Sequence, residues 1–147
     1  YLATLIDLST RKVISYSMSE TIESSMITKI IESGLKGKEI PKGAIFHSDR
    51  GSQYTSKEVK KLLSELGLEQ SMSRKGNCWD NAVAESFFKT LKYDGEIKKV
   101  FKTRREAKLA IFEFIECFYN SKRRHSYLGY LTPNEAENYI QNLNFMI

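Results

Sequence analysis

Cysteine and histidine are scarce, with two of each in 147 residues. Cys78 and Cys117 stand alone, without a CxxC pair or the Cys/His spacing of a zinc module. A disulfide framework and a structural zinc site are therefore excluded, and the two cysteines read as free thiols in a reducing compartment. Long apolar runs are missing as well. No stretch approaches the roughly 20 residues that cross a bilayer, and no signal peptide opens the chain. Together these absences point to a cytoplasmic protein with no membrane partner. There is no internal repeat and no low-complexity stretch, so a repeat architecture is excluded.

What is present is the composition of one globular domain, 41% hydrophobic and 28% charged. A chain of this length buries about two-thirds of its unfolded surface. The net charge of +5 is uneven. Between Lys98 and His125 there are nine basic residues and three acidic ones, Glu106, Glu113 and Glu116. Such a run serves either as a phosphate-binding surface or as a solvated helix face, and charge alone weighs these evenly.

Tyr1–Leu8 and Lys12–Met18 are β-rich and read as a hairpin turning at Ser9-Thr10-Arg11. Because the chain opens inside this pattern, its first residue is expected to be a cut within a longer protein. Ile22, Met26, Ile27, Ile30 and Ile31 recur at helical spacing, with Thr21 as N-cap and Gly34 near the end. After a loop holding Pro41, Ala44–His47 forms a short strand whose alternation puts Ile45, His47 and Asp49 on one side. Thr55-Ser56-Lys57-Glu58 is a capping box for a helix that buries Val59, Leu62, Leu63 and Leu66 and stops at Gly67. Leu68–Met72 is a strand, and Ser73–Cys78 a mobile basic loop. Helices are predicted from Trp79 to Tyr93 and from Arg104 to about Asn120. The second buries Ala107, Ala110, Ile111, Phe114, Ile115 and Phe118; Phe112 and Tyr119 also read as core. Thr132-Pro133-Asn134-Glu135 opens a last short helix. This order implies an α/β fold, a mixed sheet with helices on its faces.

Two carboxylates stand out, Asp49 and Glu85, with 35 residues between them. Asp49 ends a strand, where α/β folds place their sites, and Gly51 in the following turn lets backbone and substrate come close. Alone, an Asp before Arg-Gly-Ser is more often a turn residue. At about 100° per residue, Asn81, Glu85, Lys89 and Lys92 share one stripe of their helix, while Val83, Phe87 and Leu91 point the opposite way. The stripe suits a metal ligand flanked by phosphate-binding cations, though lysines supporting a glutamate at i,i+4 are the plainer alternative. Paired carboxylates on a basic chain fit phosphodiester chemistry. Hard cations such as Mg²⁺ take oxygen ligands, and two of them about 3.5–4 Å apart neutralise the attacking and leaving oxygens. His47 either orients Asp49, touches DNA or is structural, the last being the commoner role. Trp79 is either a stacking residue or a core anchor.

Four motifs now stand in order: Ile6-Asp7-Leu8-Ser9-Thr10-Arg11-Lys12; His47-Ser48-Asp49-Arg50-Gly51-Ser52-Gln53-Tyr54; Ser73 through Lys92; and Tyr119-Asn120-x-x-Arg123-x-His125-x-x-Leu128-Gly129-x-x-Thr132-Pro133. Over nearly its whole length the chain resembles the catalytic core of retroviral-integrase-like transposases from bacterial insertion sequences. Asp-x35-Glu with a lysine seven residues on matches the second half of that family's Asp-Asp-Glu pattern. The resemblance implies a ribonuclease H-like fold and a metal-dependent polynucleotidyl transferase, which cleaves DNA and transfers strands during transposition. It makes Asp49 and Glu85 ligands of Mg²⁺, or of Mn²⁺, and Lys92 a DNA contact. Ser52, Gln53, Arg74 and Lys75 then lie close to double-stranded DNA, the element ends and the target. Lys89 belongs with Lys92 on the same stripe. Arg123 and His125 fall in the tail signature, either on DNA or in packing; Arg123 leans to DNA and Tyr119 to packing. The active form is expected to be a homo-oligomer. Residues 1–121 form the catalytic core and 122–147 a tail with a short helix.

The family's first catalytic Asp lies on a strand preceding Tyr1–Leu8, so the fold is expected to lack its first strand and the site its third carboxylate. Asp7 belongs to the hairpin turn, at the end of its strand, and is rejected as a substitute. The chain alone is therefore expected to bind metal weakly and to transfer no strands. A catalytically incomplete DNA-binding or multimerisation remnant is the alternative. A nuclease acting on RNA hybrids is disfavoured by the tail signature.

Overall fold

The computed structural model describes residues 1–74, 81–95, 97 and 100–144, and the chain falls into two compact units. The first comprises Tyr1–Leu5 and Ile14–Ala82; the second comprises Ile6–Val13 and the chain from Val83 onward. No helix among the described residues is long and apolar enough to cross a membrane.

In the first unit β1 (Leu2–Ile6) pairs with β2 (Val13–Met18) as the hairpin the sequence predicts. α1 (Ser24–Leu35) follows. Its N-cap is Glu23, without a side-chain cap bond, while Thr21 spends its hydroxyl on the Glu23 carboxylate (2.7 Å). Thr21 is therefore not the cap, and Ile22 is exposed ahead of the helix instead of joining its apolar stripe. Gly34 lies near the end of α1, as expected. A Cβ there would stand 2.9 Å from that of Ser15 and 3.0 Å from Leu5 Cδ2, so the missing side chain is what lets the hairpin approach.

β3 (Ile45–Ser48) runs parallel to β4 (Glu69–Met72), with Phe46 opposite Gln70 and His47 opposite Ser71. α2 (Lys57–Glu65) connects them. Ser56 caps it, accepting from Val59 N–H at 3.2 Å. Thr55, the cap expected from the sequence, instead donates its hydroxyl to the Ser52 carbonyl, so the box is displaced by one residue. Gly67 ends the helix as expected: at φ +70° it lets its own N–H reach Ser64 O and that of Leu68 reach Leu63 O. Ile27, Ile30, Ile31, Phe46, Val59 and Leu63 form the core, each buried side chain contributing about 1.5–3 kcal/mol. Among the described residues the strands register as two two-stranded sheets, β1 with β2 and β3 with β4.

In the second unit α3 (Ala82–Tyr93) buries Phe87, Thr90 and Leu91. The long helix predicted from Arg104 is α4 (Arg104–Phe112) followed by a π-helical segment, Glu113–Tyr119. There the N–H groups of Asn120 and Arg123 reach back five residues, to Ile115 O and Phe118 O. The wider turn rotates the residues beyond it about the helix axis. After Ile111, Phe114 and Ile115 the inward positions are Tyr119 and Asn120, while Phe118 turns outward and Phe112 is also exposed. The expectation of a buried Phe118 fails for that reason, while Phe112 lies ahead of the wide turn, on the outward face of α4 next to the inward Ile111. Phe87, Phe114 and Tyr119 meet edge-on or tilted, with ring centres 5.0–6.2 Å apart. α5 (Pro133–Asn144) starts with the reciprocal box read from the sequence: Glu135 N–H donates to Thr132 Oγ1, and Thr132 N–H to Glu135 Oε2 at 2.8 Å.

Candidate nucleic-acid and metal site

Alternation along β3 buries Phe46 and Ser48 and turns Ile45, His47 and Asp49 the other way, as expected. Asp49 is exposed at the strand's end. Its Oδ1 accepts the Gly51 N–H at 2.8 Å, an Asx turn that fixes the carboxylate yet uses one of its several acceptor positions. Ser48 donates its hydroxyl to the Asp49 carbonyl (2.9 Å), and Tyr54 and Thr55 close the next turn on Gly51 O and Ser52 O. The space a Cβ would fill on Gly51 is taken by the Gln53 side-chain amide, so that glycine admits a neighbour of its own. Burial, followed by the negative charge of Asp49, raises the Tyr54 phenol above its ordinary range. Ser52 is exposed and Gln53 half-buried.

The His47 side chain is held in place by hydrogen bonds. Its ring lies between two serines, Nδ1 at 3.0 Å from Ser71 Oγ and Nε2 at 3.2 Å from Ser73 Oγ. Ser73 is a junction the sequence did not reveal. Its hydroxyl lies 2.8 Å from Asn81 Oδ1 and 3.2 Å from Ser48 O, while its carbonyl accepts Arg50 Nε at 2.9 Å. Arg74 is exposed at the edge of the described residues. Lys75, Cys78 and Trp79 lie outside them, as does most of the basic loop.

Glu85 stands in the first turn of α3 and Lys92 in the last, the ends at which the helix dipole favours each charge. Glu85, Lys89 and Lys92 are all exposed, with Phe87 and Leu91 buried behind them, as the stripe predicts. Among the described residues no ion pair joins Glu85 to either lysine, so the stripe is not spent on itself. Asp49 belongs to the first unit and Glu85 to the second. Both are exposed carboxylates, the hard oxygen donors that a divalent ion requires. Among the described residues no group of three or more His, Cys, Asp or Glu is arranged to hold a metal. Cys117 is a free, exposed thiol.

Asp7 has a different task. Its Oδ1 accepts from Ser9 N–H (2.8 Å), Ser9 Oγ (2.6 Å) and Thr10 N–H (3.4 Å). Burial pulls its pKa up, but these bonds together outweigh burial and hold the carboxyl below its ordinary value. The tail packs on the turn that Asp7 organises. Asn120, fully buried, accepts the Val13 N–H and donates to the Val13 carbonyl, both at 3.0 Å. Lys12 pairs with Glu137 at 2.5 Å. Tyr119 packs edge-on against His125, and the Arg123 guanidinium lies 3.2 Å from the His125 ring nitrogens and 5.8 Å from the Tyr119 ring centre. Burial, then Arg123 and Arg11, push His125 down to about 4. Sequence reasoning placed Asn120 in a signature without seeing its work, because its partner lies 107 residues away.

A protein-family model described as an integrase core domain matches residues 1–78, and a second of the same description matches residues 66–133. The chain belongs to the integrase core domain family. This integrase core is 45% identical over 140 residues to the transposase for insertion sequence element IS904 of Lactococcus lactis subsp. lactis (strain IL1403), spanning 95% of the chain and 55% of that protein. It is 41% identical over 138 residues to transposase InsF for insertion sequence IS3A of Escherichia coli (strain K12), spanning 94% and 48%. The chain thus spans about half the length of the curated relatives it matches. Among solved structures, the catalytic core domain of BIV integrase superposes with a TM-score of 0.68 at 17% identity, over 98% of this chain and 89% of that one. That likeness establishes the ribonuclease H-like fold.

Proposed function

We propose that this integrase core carries out DNA cleavage and strand transfer as part of an insertion-sequence transposase, a metal-dependent polynucleotidyl transferase. The observation that carries the reading is Asp49, fixed by the Gly51 N–H at a strand end yet exposed and open to a cation. The names of the curated relatives support the same chemistry. Asp49 and Glu85 would hold Mg²⁺ or Mn²⁺, which when bound neutralises charge at the attacking and leaving oxygens. Lys92 and Lys89 present a phosphate-binding stripe beside Glu85. Ser52, Gln53, Arg74, Lys75, Arg123 and His125 contact double-stranded DNA. Residues 1–121 act as the core and 122–147 as a tail, in a homo-oligomer working on DNA in the cytoplasm.

The alternative is a catalytically incomplete DNA-binding or multimerisation piece. The two separate on 3′-end cleavage of a terminal-repeat oligonucleotide in Mg²⁺. The 147-residue chain alone is expected to be inactive, and a full-length transposase containing it active. In the longer protein Asp49→Asn or Glu85→Gln should slow cleavage by about a thousandfold or more. Undiminished cleavage by either variant would remove that residue from the site, and robust activity of the chain alone would overturn its incompleteness.

A further inference from the structure

Among the described residues only two other than glycine adopt a left-handed backbone, Arg11 at φ +60° and Tyr130 at φ +65°, and both belong to the second unit. Such conformations persist where surrounding structure enforces them, and they gather at working surfaces. Arg11 closes the hairpin turn and sets its guanidinium 4.0 Å above the centre of the Tyr127 ring. Tyr127 and Tyr130 share one small loop, tied at its neck by the His125–Leu131 bridge and inside by Leu128 N–H and Tyr130 N–H to His125 O. Arg124 bonds the Tyr130 carbonyl at 3.0 Å. The rings nevertheless stay in solvent, 69% and 67% exposed, so Arg11 covers one face of Tyr127 and leaves the other open.

We propose that this surface holds single-stranded DNA, with Arg11 and Arg124 on phosphates and Tyr127 and Tyr130 stacked on unpaired bases. The proposal rests on the reading that DNA is the substrate, and it adds a binding surface apart from the carboxylates. Alternating arginines and open aromatic rings is the chemistry that grips a strand without reading its sequence, because every base offers a flat face. A ring face stacks only on a base not already stacked on both sides, which selects unpaired strand over duplex interior. Nearby acids are already engaged. Asp7 and Glu135 accept backbone N–H groups, with Glu135 also feeling Arg124, and Glu137 pairs with Lys12.

The test is fluorescence anisotropy of the 147-residue chain with a labelled 20-nucleotide single strand and with its duplex, across a salt series. Tyr127→Ala and Tyr130→Ala should each weaken single-strand binding about tenfold and affect duplex far less, while Tyr127→Phe stays within about twofold of the parent. Tyr130→Gly, which suits the left-handed backbone, should lose binding as Tyr130→Ala does while the melting temperature holds, separating lost stacking from unfolding. Arg11→Ala should lower the slope of log affinity against log salt by about 1. Parent-like single-strand binding by Tyr127→Ala and Tyr130→Gly would overturn the proposal, even with cleavage still dependent on Asp49. Equal weakening on duplex and single strand would also overturn it, in favour of a duplex surface. A parent that binds neither form overturns both this proposal and the reading beneath it.

Discussion

The turn after β1 and the turn after β3 each begin with an aspartate, and the two are built to opposite ends. Asp7 is half-buried and gathers three donors onto one oxygen, and the strand it leads into is gripped through Asn120 and Glu137. Asp49 is exposed and accepts one N–H. The first carboxylate is consumed by the fold. The second is aimed by the fold and otherwise left available, which is what a ligand of a hard cation needs. Counting donors on each carboxylate separates the roles better than the neighbouring sequence does, since both sit in turns rich in serine.

The largest effect that would sharpen this contrast is at the clasp. Asn120→Ala strips two buried backbone groups of Val13 of their partners and should cost about 3 kcal/mol in denaturant unfolding. A loss under about 1 kcal/mol would show that the hairpin turn is not held by Asn120. Next comes the aspartate pair itself. Asp7→Asn should cost about 1 kcal/mol at neutral pH, Asp49→Asn less than about 0.5. The Asp7 carboxyl lies below its ordinary 3.8 in the folded chain, so its contribution is present above that value and lost as pH falls through the depressed one. Acid titrations of stability should therefore flatten below about pH 4 in Asp7→Asn, and a parent-like curve would remove the distinction. The smallest effect is at Lys12. Its partly exposed pair with Glu137 should be worth about 0.5–1 kcal/mol by a double-mutant cycle with Lys12→Met and Glu137→Gln.

Much of this was legible in sequence because the signals are local. The hairpin, the Gly67 stop, the Thr132–Glu135 box and the α3 stripe each depend on residues a few positions apart. Two caps were misplaced by one or two residues, since Thr21, Thr55 and Ser56 all carry the hydroxyl a cap needs and only backbone geometry chooses among them. The aromatic face of the last long helix failed differently. A period of 3.6 was assumed where the chain widens to π, and nothing in Glu113–Tyr119 announces it. The candidate site was legible as residue types, Asp49 with Glu85 and its lysines. The junction at Ser73 and the clasp at Asn120 were not, because their partners are distant in sequence.

The π segment has a consequence for how this helix tolerates change in length. A wide turn carries one residue more than an α turn, so an in-frame deletion of one codon within Glu113–Tyr119 lets the helix run α-helically from Arg104 onward without breaking. The deletion would keep Tyr119 on the inner face beside Phe114 and would remove an outward residue such as Phe118 or Cys117. Loss of one residue, ordinarily ruinous inside a packed helix, is here a change the geometry already accommodates.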